Sequence, residues 1–387
     1  MGPENTEEPE MKLLHISDLH IGRRVNEFSM LEDQRYILNE ILRIAKEQKV
    51  DGILAAGDIY DKSVPPAEAV QLLDDFFTRT ARAGILLYVI SGNHDSAERV
   101  AFGAGLFDQG GIYISPVYHG KIEPVRQKDA YGYVNIYLIP FLKPAAVHRF
   151  FPEKKTETYQ EAFAAVLEEL QPDCTQRNVV VAHQFFTGAV RSESEDLSLG
   201  GLDNIDAGLL EQFDYAALGH IHRPQKLGRE TIRYCGTPLK YSFSEAGDTK
   251  SVTVVELKEK GNVTVETIPL KPLRELREIR GTYEEVTLKE NYEQTNVTDY
   301  MHITLTDEED IPGAAAKLRA IYPNLMKLDY DNRRTRENRM ITGAAAVQTK
   351  TPLELFEELY RLQNNQEMTE EQKQYVQRLV EEVWETV

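Results

Sequence analysis

The sequence predicts a protein of the α/β (α+β) class, and three observations along the chain support this prediction. Short apolar runs alternate with amphipathic helical patterns over about the first 270 residues, which is typical of strands that alternate with helices. From Tyr215 onward, β-like runs dominate, and beyond a proline-flanked linker a small β/α/β pattern precedes two amphipathic helices. We therefore expect one large α/β domain, a small second domain and a helical C-terminal segment.

The strands and helices of the large domain follow from the period and length of its apolar runs. Strands are predicted at Leu13–Ile16, Gly52–Ala56, Ile85–Ile90, Val134–Ile139, Val179–Ala182, Tyr215–Leu218, Thr231–Tyr234, Ser251–Leu257 and Val263–Ile268. Helices are predicted at Leu31–Lys49, Pro65–Arg82 and Thr158–Leu170. The two prolines at 65 and 66 suit a helix start, because a missing N–H costs little in the first turn.

The domain boundaries are predicted from changes in these patterns. Residues 1–10 are polar and acidic, and we expect them to be a non-native or disordered extension that precedes a large domain at residues 11–270. The prolines at 269 and 272 stiffen a linker. A small domain is then expected at residues 273–345, with elements at Leu273–Thr287, His302–Leu305, Ala314–Ile321 and Leu325–Tyr330. Residues 350–387 are predicted to form two helices with apolar faces.

The composition limits the classes of function that remain. The formal net charge is −19, which argues against sequence-independent attraction to nucleic acid over the whole surface, because Lys and Arg dominate phosphate binding. The strongly apolar run Ile85–Ile90 is far shorter than the roughly 20 residues that a membrane-spanning helix needs. Cys174 and Cys235 form no CxxC pair, and we expect them to be reduced thiols in a cytoplasmic protein.

Five short polar motifs stand where predicted strands end. They are Asp18-Leu-His20, Gly57-Asp58, Gly92-Asn93-His94-Asp95, Ala182-His183-Gln184 and Gly219-His220-Ile-His222. Ligands of open α/β sheets collect beyond the carboxyl ends of the strands, so five strands can converge on one site. The glycines before Asp58, Asn93 and His220 are expected to let the backbone turn sharply and bring each side chain inward.

The residue types in these motifs predict a metal centre. Carboxylate, imidazole and amide oxygen donors, without a thiolate, suit Mn, Fe or Zn. The motifs hold at least seven such donors, which are too many for one ion and suit two, with a shared carboxylate. Asp58 is the expected bridge, because its two oxygens can face ions about 3.5–4 Å apart. The remaining histidines, His15, His119, His148 and His302, lack this setting and are expected to be ordinary core or surface residues.

The order of these motifs resembles the calcineurin-like metallophosphoesterase superfamily over residues 11 to about 270. The resemblance implies a metallophosphoesterase β-sandwich flanked by helices, with a small α/β capping domain and a C-terminal helix pair. It implies that Asp18, His20, Asp58 and His222 hold one ion, and that Asp58, Asn93, His183 and His220 hold the other. By the same resemblance His94 lies over the scissile phosphate, and Asp95 is its supporting partner.

Longer motifs resemble one branch of that superfamily, the bacterial SbcD nucleases of double-strand-break repair. These motifs are Gly57-Asp-Ile-Tyr-Asp61, His183-Gln-Phe-Phe-Thr-Gly188, Leu218-Gly-His-Ile-His-Arg-Pro224 and Tyr234-Cys-Gly-Thr-Pro-Leu-Lys-Tyr-Ser-Phe-Ser-Glu245. The branch implies a Mn²⁺-dependent 3′-5′ double-strand exonuclease and single-strand or hairpin endonuclease. It further implies an SbcC-type ATPase partner, in a heterotetramer with two copies of each, a homodimer as an option, and a cytoplasmic, nucleoid-associated location.

Two surfaces outside the motifs are candidates for contacts with DNA and with the partner. The basic residues Lys327, Arg333, Arg334, Arg336 and Arg339 could contact the DNA backbone, or they could form a solvated loop. Phe356, Leu359, Leu379 and Trp384 could anchor the partner, since acidic helices with apolar stripes suit such docking. The alternative is that the stripes pack on each other.

Two other functions are consistent with these motifs. One is a different phosphoesterase of the same superfamily, acting on phosphoproteins, cyclic nucleotides or small esters. The other is a metal-poor protein-binding scaffold on the same fold. The segment after Pro272 argues against the first, and the complete ligand set argues against the second.

Overall fold

The computed structural model describes residues 10–190, 192, 204–333 and 335, together with positions 353, 356–357, 360, 368–370, 372–373, 375–377 and 379. The chain divides into two compact units. The first contains the described residues up to Glu278, with Asn296–His302 and Tyr322–Lys327. The second contains Ile279–Thr295, Ile303–Ile321 and the described residues from Leu328 onward. Most of the predicted extension at 1–10 and of the predicted helices at 350–387 lies outside the described residues.

The described chain alternates between strands and helices. The strands are β1 (Met11–Ile16), β2 (Arg24–Val25), β3 (Phe28–Ser29), β4 (Gly52–Ala56), β5 (Leu86–Ile90), β6 (Ile112–Ile114), β7 (Val125–Asp129), β8 (Gly132–Ile139), β9 (Arg177–His183), β10 (Tyr215–Gly219), β11 (Gln225–Leu227), β12 (Arg229–Tyr234), β13 (Ser251–Leu257), β14 (Val263–Pro269), β15 (Leu276–Gly281), β16 (Tyr300–Leu305) and β17 (Leu325–Tyr330). The helices are α1 (Leu31–Glu47), α2 (Ala67–Arg82), α3 (Ala97–Val100), α4 (Ala104–Phe107), α5 (Pro144–His148), α6 (Tyr159–Leu170), α7 (Tyr283–Thr287), α8 (Lys289–Tyr292) and α9 (Ala314–Arg319).

Two six-stranded sheets form the first unit. One has the order β14-β13-β1-β4-β5-β6, in which β1, β4, β5 and β6 are parallel and β13 and β14 run antiparallel to their neighbours. The other has the order β11-β12-β10-β9-β8-β7, with β8, β9, β10 and β12 parallel. Parallel strands place their carboxyl ends at one edge of a sheet, so each sheet presents several strand ends to the same side.

Three apolar layers hold the sheets and helices of this unit together. Between the sheets, Leu54 and Tyr88 of the first join Val179 and Tyr215 of the second in one buried cluster. On the outer face of the first sheet, strand residues pack with α1 and α2, and on that of the second with α5 and α6. Because both faces of each sheet are covered, the central strands are continuous apolar runs. The predicted α/β class and the helix-flanked sandwich are confirmed.

A third sheet contains three strands in the order β15-β16-β17. In the second unit, Ile303, Leu305, Ala314, Leu318 and Val286 are buried apolar residues. Helix α7 begins at a capping box, in which the Thr282 hydroxyl accepts from the Glu285 N–H while the Glu285 side chain accepts from the Thr282 N–H, so two N–H groups at the helix start are satisfied. Among the described residues, the helices are all too short or too polar to cross a membrane.

Candidate metal centre

The polar motifs lie just beyond five strand ends, as their sequence positions predict. In the first sheet, Asp18 follows β1, Asp58 follows β4 and Asn93 follows β5, and these three strands are parallel neighbours. In the second sheet, His183 ends β9 and His220 follows β10, which pair in parallel. Both sheets of the sandwich therefore contribute donors to one cluster.

The backbone at this cluster adopts conformations that L-residues rarely occupy. Positive φ angles occur at Asp18 (52°), His20 (43°), Asp58 (48°) and His220 (102°). Such angles cost on the order of 1–3 kcal/mol each and persist only where the surroundings enforce them. Of the eight non-glycine residues with positive φ in the described chain, half lie in this one cluster, which points to a functional reason for the strain.

The three glycines of the motifs are needed for two different physical reasons. Gly57 has a φ of +84°, so the predicted sharp turn is present there. Gly92 and Gly219 do not have a positive φ. Their lack of a Cβ leaves room for a neighbouring part of the chain to approach closely. A Cβ at Gly92 would lie 2.1 Å from Asp58 Oδ1, and one at Gly219 would lie 1.8 Å from the Ala56 carbonyl oxygen. At these two positions the expectation of a sharp turn is wrong, and close approach of another backbone or side chain is the cause.

The first donor group contains Asp18, His20 and His222, whose ligand atoms lie within 4.8 Å of one another. Nε2 of the His20 ring and Nε2 of the His222 ring are 3.1 Å apart. Burial lowers the pKa of both histidines well below the usual value, so both rings are neutral and at least one Nε2 lone pair faces the space between them. Neutral imidazole is the form that binds metals. Burial raises the pKa of Asp18 to about 7, as expected for a carboxylate removed from water.

The second donor group contains Asp58, Asn93, His183 and His220. Asn93 Oδ1 lies 3.0 Å from His183 Nε2 and 2.9 Å from His220 Nδ1. His183 Nε2 also lies 3.3 Å from Asp58 Oδ2. The other nitrogen of that ring, Nδ1, bonds the Ala56 carbonyl at 2.8 Å, which fixes the ring with Nε2 toward the cluster.

Asp58 lies between the two groups. Its Oδ2 is 3.3 Å from His183 Nε2 and 3.7 Å from His20 Nε2. Burial by itself would raise the pKa of Asp58, but the charge and hydrogen bond of His183 hold it well below the usual value. Conversely, burial would lower the pKa of His183, while Asp58 raises it to about 9. Asp58 and His183 are thus paired through opposite charge, a divalent cation bound there would neutralise the carboxylate in place of that pairing, and the donor set fits two such cations.

His94 and Asp95 lie beside these groups. The His94 N–H donates to Asp58 Oδ1 at 2.9 Å, and its Nδ1 lies 3.1 Å from the Asp61 carbonyl oxygen. A His94 ring nitrogen is also within 4.8 Å of donor atoms of His20 and Asp58, so this geometry is compatible with a ligand or with a substrate-facing role. The assignment of His94 to substrate stays a prediction.

Asp95 supports the loop that carries Asp58. Its carboxylate accepts the backbone N–H groups of Ile59 at 3.0 Å, Tyr60 at 2.9 Å and Gly92 at 2.9 Å. Burial, with the charge of Asp58, raises the pKa of Asp95 to about 6 in spite of these donors. The three bonds tie the β4 and β5 loops together. Its predicted role as partner of His94 stays a prediction.

Gln34 is a site residue that the sequence motifs did not reveal. Its Nε2 donates to the His20 carbonyl at 2.8 Å, and its Oε1 accepts the Gly22 N–H at 2.9 Å. Tyr241 adds a bond from its hydroxyl to the Leu19 carbonyl at 2.7 Å. A signal existed, since Gln34 is a polar residue at helical spacing from the apolar Ile37, Leu38 and Ile41, and a buried amide usually has a partner to satisfy.

The predicted surface residues are only partly described. Lys327 and Arg333 are exposed, whereas Arg334, Arg336 and Arg339 lie outside the described residues. Phe356 and Leu379 are in helical positions and are 45% and 42% exposed. Leu359 and Trp384 lie outside the described residues. Neither surface is tested by these positions.

Comparisons with known proteins show which family the chain is similar to. A family model described as calcineurin-like phosphoesterase matches residues 11–224. A second, SbcD_C, described as a type 5 capsule protein repressor C-terminal domain, matches residues 272–364. The SbcD subunit of the nuclease SbcCD from Staphylococcus saprophyticus is 36% identical, covering 82% of this chain and 84% of the relative. The same subunit from Staphylococcus epidermidis is 33% identical, with 82% and 85% covered.

Among solved structures, a dimetal phosphatase from Danio rerio covers 69% of this chain and 98% of its own, with 9% identity and a TM-score of 0.41. The family model spans more than half of the chain, and the two staphylococcal relatives exceed 30% identity over most of its length. The chain therefore belongs to the SbcD family of nucleases within the calcineurin-like phosphoesterases, and it is a metal-dependent hydrolase.

Proposed function

We propose that this chain is a nuclease that hydrolyses the phosphodiester bonds of DNA with a pair of Mn²⁺ ions. The observation that carries the proposal is the convergence of seven nitrogen and oxygen donors on one cluster with Asp58 between two groups. These donors include an amide oxygen and no thiolate, which favours Mn²⁺ over softer ions. The family relationship supports a nucleic-acid substrate.

In this proposal each donor group holds one ion. Asp18, His20, Asp58 and His222 hold the first, and Asp58, Asn93, His183 and His220 hold the second. Bound there, two divalent ions would activate a water as nucleophile and neutralise the charge that develops on the phosphate. The chain itself keeps the donors aimed: Ala56 orients His183, and Gln34 holds the backbone of His20.

His94 is proposed to act on the substrate. The Asp61 carbonyl 3.1 Å from its Nδ1 fixes the ring, so that Nε2 is the nitrogen we assign to the scissile phosphate. From there His94 orients the phosphate and protonates the leaving oxygen. We propose that Asp95 supports His94 indirectly, by holding the β5 loop from which His94 projects.

Metal-free protein assayed with added Mn²⁺, Mg²⁺ or Zn²⁺ tests this function. The substrates are a blunt duplex labelled at either end and a labelled hairpin, and we expect 3′-5′ shortening of the duplex and opening of the hairpin with Mn²⁺. His94→Ala is the matched control for contaminating nucleases. Hydrolysis of small phosphomonoesters without DNA cleavage would favour a small-substrate phosphatase. Less than one equivalent of metal after reconstitution would favour a scaffold.

The C-terminal helices are proposed to dock an SbcC-type ATPase. Both staphylococcal relatives are named as one subunit of a nuclease called SbcCD, which supports a complex of this kind. The exposed Phe356 and Leu379 are suitable apolar anchors. We assign residues 350–387 to docking and residues 273–345 to capping and DNA binding. Truncation after Lys350 should spare metal binding and abolish co-elution with SbcC, and co-elution at full stoichiometry would place the interface elsewhere.

A homodimer is proposed from three exposed apolar side chains in the segment that follows the motif Gly92–Asp95 in sequence. Phe102 is 81% exposed, Leu106 78% and Phe107 41%, and large exposed apolar patches mark protein interfaces. A second copy of the chain would bury this patch and give two copies of each protein in the full complex. Leu106→Glu should convert dimer to monomer in light scattering without a change in metal content. An unchanged molecular mass would place the dimer contact elsewhere.

Binding of DNA to so acidic a chain needs local positive charge. We propose that the metal pair supplies it at the scissile phosphate and that the exposed Lys327 and Arg333, with Arg334, Arg336 and Arg339, supply it along the backbone. Charge reversal at Lys327 should then weaken DNA binding. In a plot of the logarithm of the binding constant against the logarithm of the salt concentration, the steepness of the slope should decrease by about one. We place this activity in the cytoplasm, where the chromosome is available.

A further inference from the structure

Lys250 and Glu245 form a buried ion pair next to the backbone of the proposed metal ligand His222. The Lys250 side chain is 4% exposed and that of Glu245 is 0% exposed, and Nζ lies 2.5 Å from Oε2. Removing two charges from water is costly, and a well-packed apolar pair is often at least as stable. A buried pair of this kind therefore calls for an explanation other than stability alone.

Lys250 makes a second contact, with the backbone of a proposed metal ligand. Its ammonium donates to the carbonyl oxygen of His222 at 2.9 Å, and the Thr237 N–H donates to the same oxygen at 3.1 Å. The His222 ring is buried, with its Nε2 3.1 Å from that of His20. A charge-assisted hydrogen bond is stronger and more directional than a neutral one, so Lys250 fixes the peptide from which the His222 ring projects.

Both members of the pair are attached to regular structure. Lys250 directly precedes β13, and its own carbonyl accepts the Leu270 N–H at 2.8 Å. Glu245 ends the 3₁₀ helix Phe243–Glu245, which is capped by the Ser242 hydroxyl. The Thr237 hydroxyl also donates to Glu245 Oε2, at 3.4 Å. The sandwich thus holds the pair rigidly and the pair in turn holds His222.

We propose that Lys250, held by Glu245, is a positioning residue that aims His222 at the ion of the Asp18, His20 and His222 group. The proposal rests on the proposed metal-dependent function and adds a residue pair to it. His183 is oriented differently, by the Ala56 carbonyl on its own ring. Loss of the Lys250 ammonium should therefore weaken binding of the ion at His222 more than binding of the ion at Asn93 and His183.

The test uses Lys250→Met, which keeps the length of the side chain, and Glu245→Gln, which keeps its shape. Asp129→Asn is the matched control, because Asp129 also belongs to a buried ion pair. Its partner is Arg177, and the side chains of Arg177 and Asp129 are 3% and 5% exposed, respectively. Arg177 begins β9 and His183 ends it, so six residue-to-residue steps along the strand, about 20 Å, separate that pair from the cluster. All proteins are full length, and their folding is checked by circular dichroism and melting temperature.

Mn²⁺ binding is measured by calorimetry, and occupancy of each position by anomalous diffraction. Partners that orient a ligand typically change metal affinity by about 10- to 100-fold. We expect Lys250→Met and Glu245→Gln to weaken the ion at His222 by that factor, with the ion at Asn93 and His183 retained. Asp129→Asn should lower the melting temperature without changing either affinity.

Wild-type affinity at both positions in folded Lys250→Met and Glu245→Gln would overturn the proposal. Equal loss at the two positions, or an equal loss in Asp129→Asn, would show an effect through general stability and would overturn it as well. Failure of both variants to fold would show that the ion pair is needed for folding, and it would also overturn the proposal. A wild-type protein that binds no divalent ion would instead refute the proposed function, so the two failures are distinguishable.

Discussion

Gly92→Ala is the substitution that tests most directly how closely the strand ends approach each other. The added Cβ would lie 2.1 Å from Asp58 Oδ1 and 2.4 Å from the Asp58 nitrogen. The first distance is about 1.3 Å short of ordinary contact, which begins at 3.4 Å. The backbone cannot easily retreat, because the Gly92 N–H is bonded to Asp95, which also accepts the Ile59 N–H. Asp58 must therefore move.

The size of the effect follows from the tolerance of metal sites. Ligand distances in such sites hold to within about 0.2 Å, so a displacement of Asp58 by about 1 Å removes it as a ligand of both ions. Displacing a ligand should cost more than the 10- to 100-fold that loss of a supporting partner costs. We expect Mn²⁺ affinity to fall at least about 100-fold, which is about 2.7 kcal/mol. Overpacking should lower folding stability by about 1–3 kcal/mol.

Calorimetric titration of metal-free protein with Mn²⁺ measures the affinity, and urea denaturation measures the stability. Gly105→Ala is the matched control, because Gly105 is exposed on α4 and a Cβ there would have no heavy atom within 4 Å. That variant should bind Mn²⁺ as the wild type does and be equally stable or slightly more stable. Wild-type affinity in Gly92→Ala would refute the reasoning, since Asp58 would then be free to adjust or would not be a ligand.

Three other side chains give predictions that can be measured separately. Asp58→Asn should reduce the bound Mn²⁺ from two ions to fewer than one by mass spectrometry, because one carboxylate serves both, and two full ions would contradict the bridge. His94→Ala should keep both ions while DNA cleavage falls by about 10²–10⁴-fold, and a metal loss like that of His183→Ala would make His94 a ligand. Burial lowers the pKa of His15 from 6.5 to about 3. Below pH 6.5 the unfolded chain therefore binds a proton that the folded chain does not bind, and folding stability decreases as the pH is lowered. Between pH 7 and 5 we expect His15→Gln to lose about 2 kcal/mol less stability than the wild type in urea denaturation, with the exposed His119→Gln as control; an equal loss would refute this.

The central strands and the site motifs could be predicted from the sequence because the two signals coincide. Strands covered on both faces are continuous apolar runs, and Gly52–Ala56 and Ser251–Leu257 have the predicted bounds. The strands that were missed are short or partly exposed: Ile112–Ile114 has three residues, and Val125–Asp129 alternates with polar side chains. An edge strand of this kind has no apolar run by which it could be found.

The contacts that hold the site could not be predicted in the same way. Gly92 and Asp58 are far apart in sequence, and their approach depends on the register of two parallel strands. The bonds of Gln34 to His20 and of Lys250 to His222 join residues 14 and 28 positions apart. A motif shows which side chains are chemically suited to a metal, whereas the supporting bonds depend on how separate elements pack.

The strained backbone of the metal centre is held by bonds that do not require a metal. The Asp18 N–H donates to the Gly57 carbonyl at 3.1 Å, and the His20 N–H donates to the Asp58 carbonyl at 2.9 Å. These bonds continue the parallel pairing of β1 and β4 into the loops, where Asp18, His20 and Asp58 have positive φ. Because each bond is made within the chain, the fold itself offsets part of the strain in the loops that carry the donors. Because the same loops carry the donors, a divalent ion bound by the folded chain would add stability to the fold by mass action.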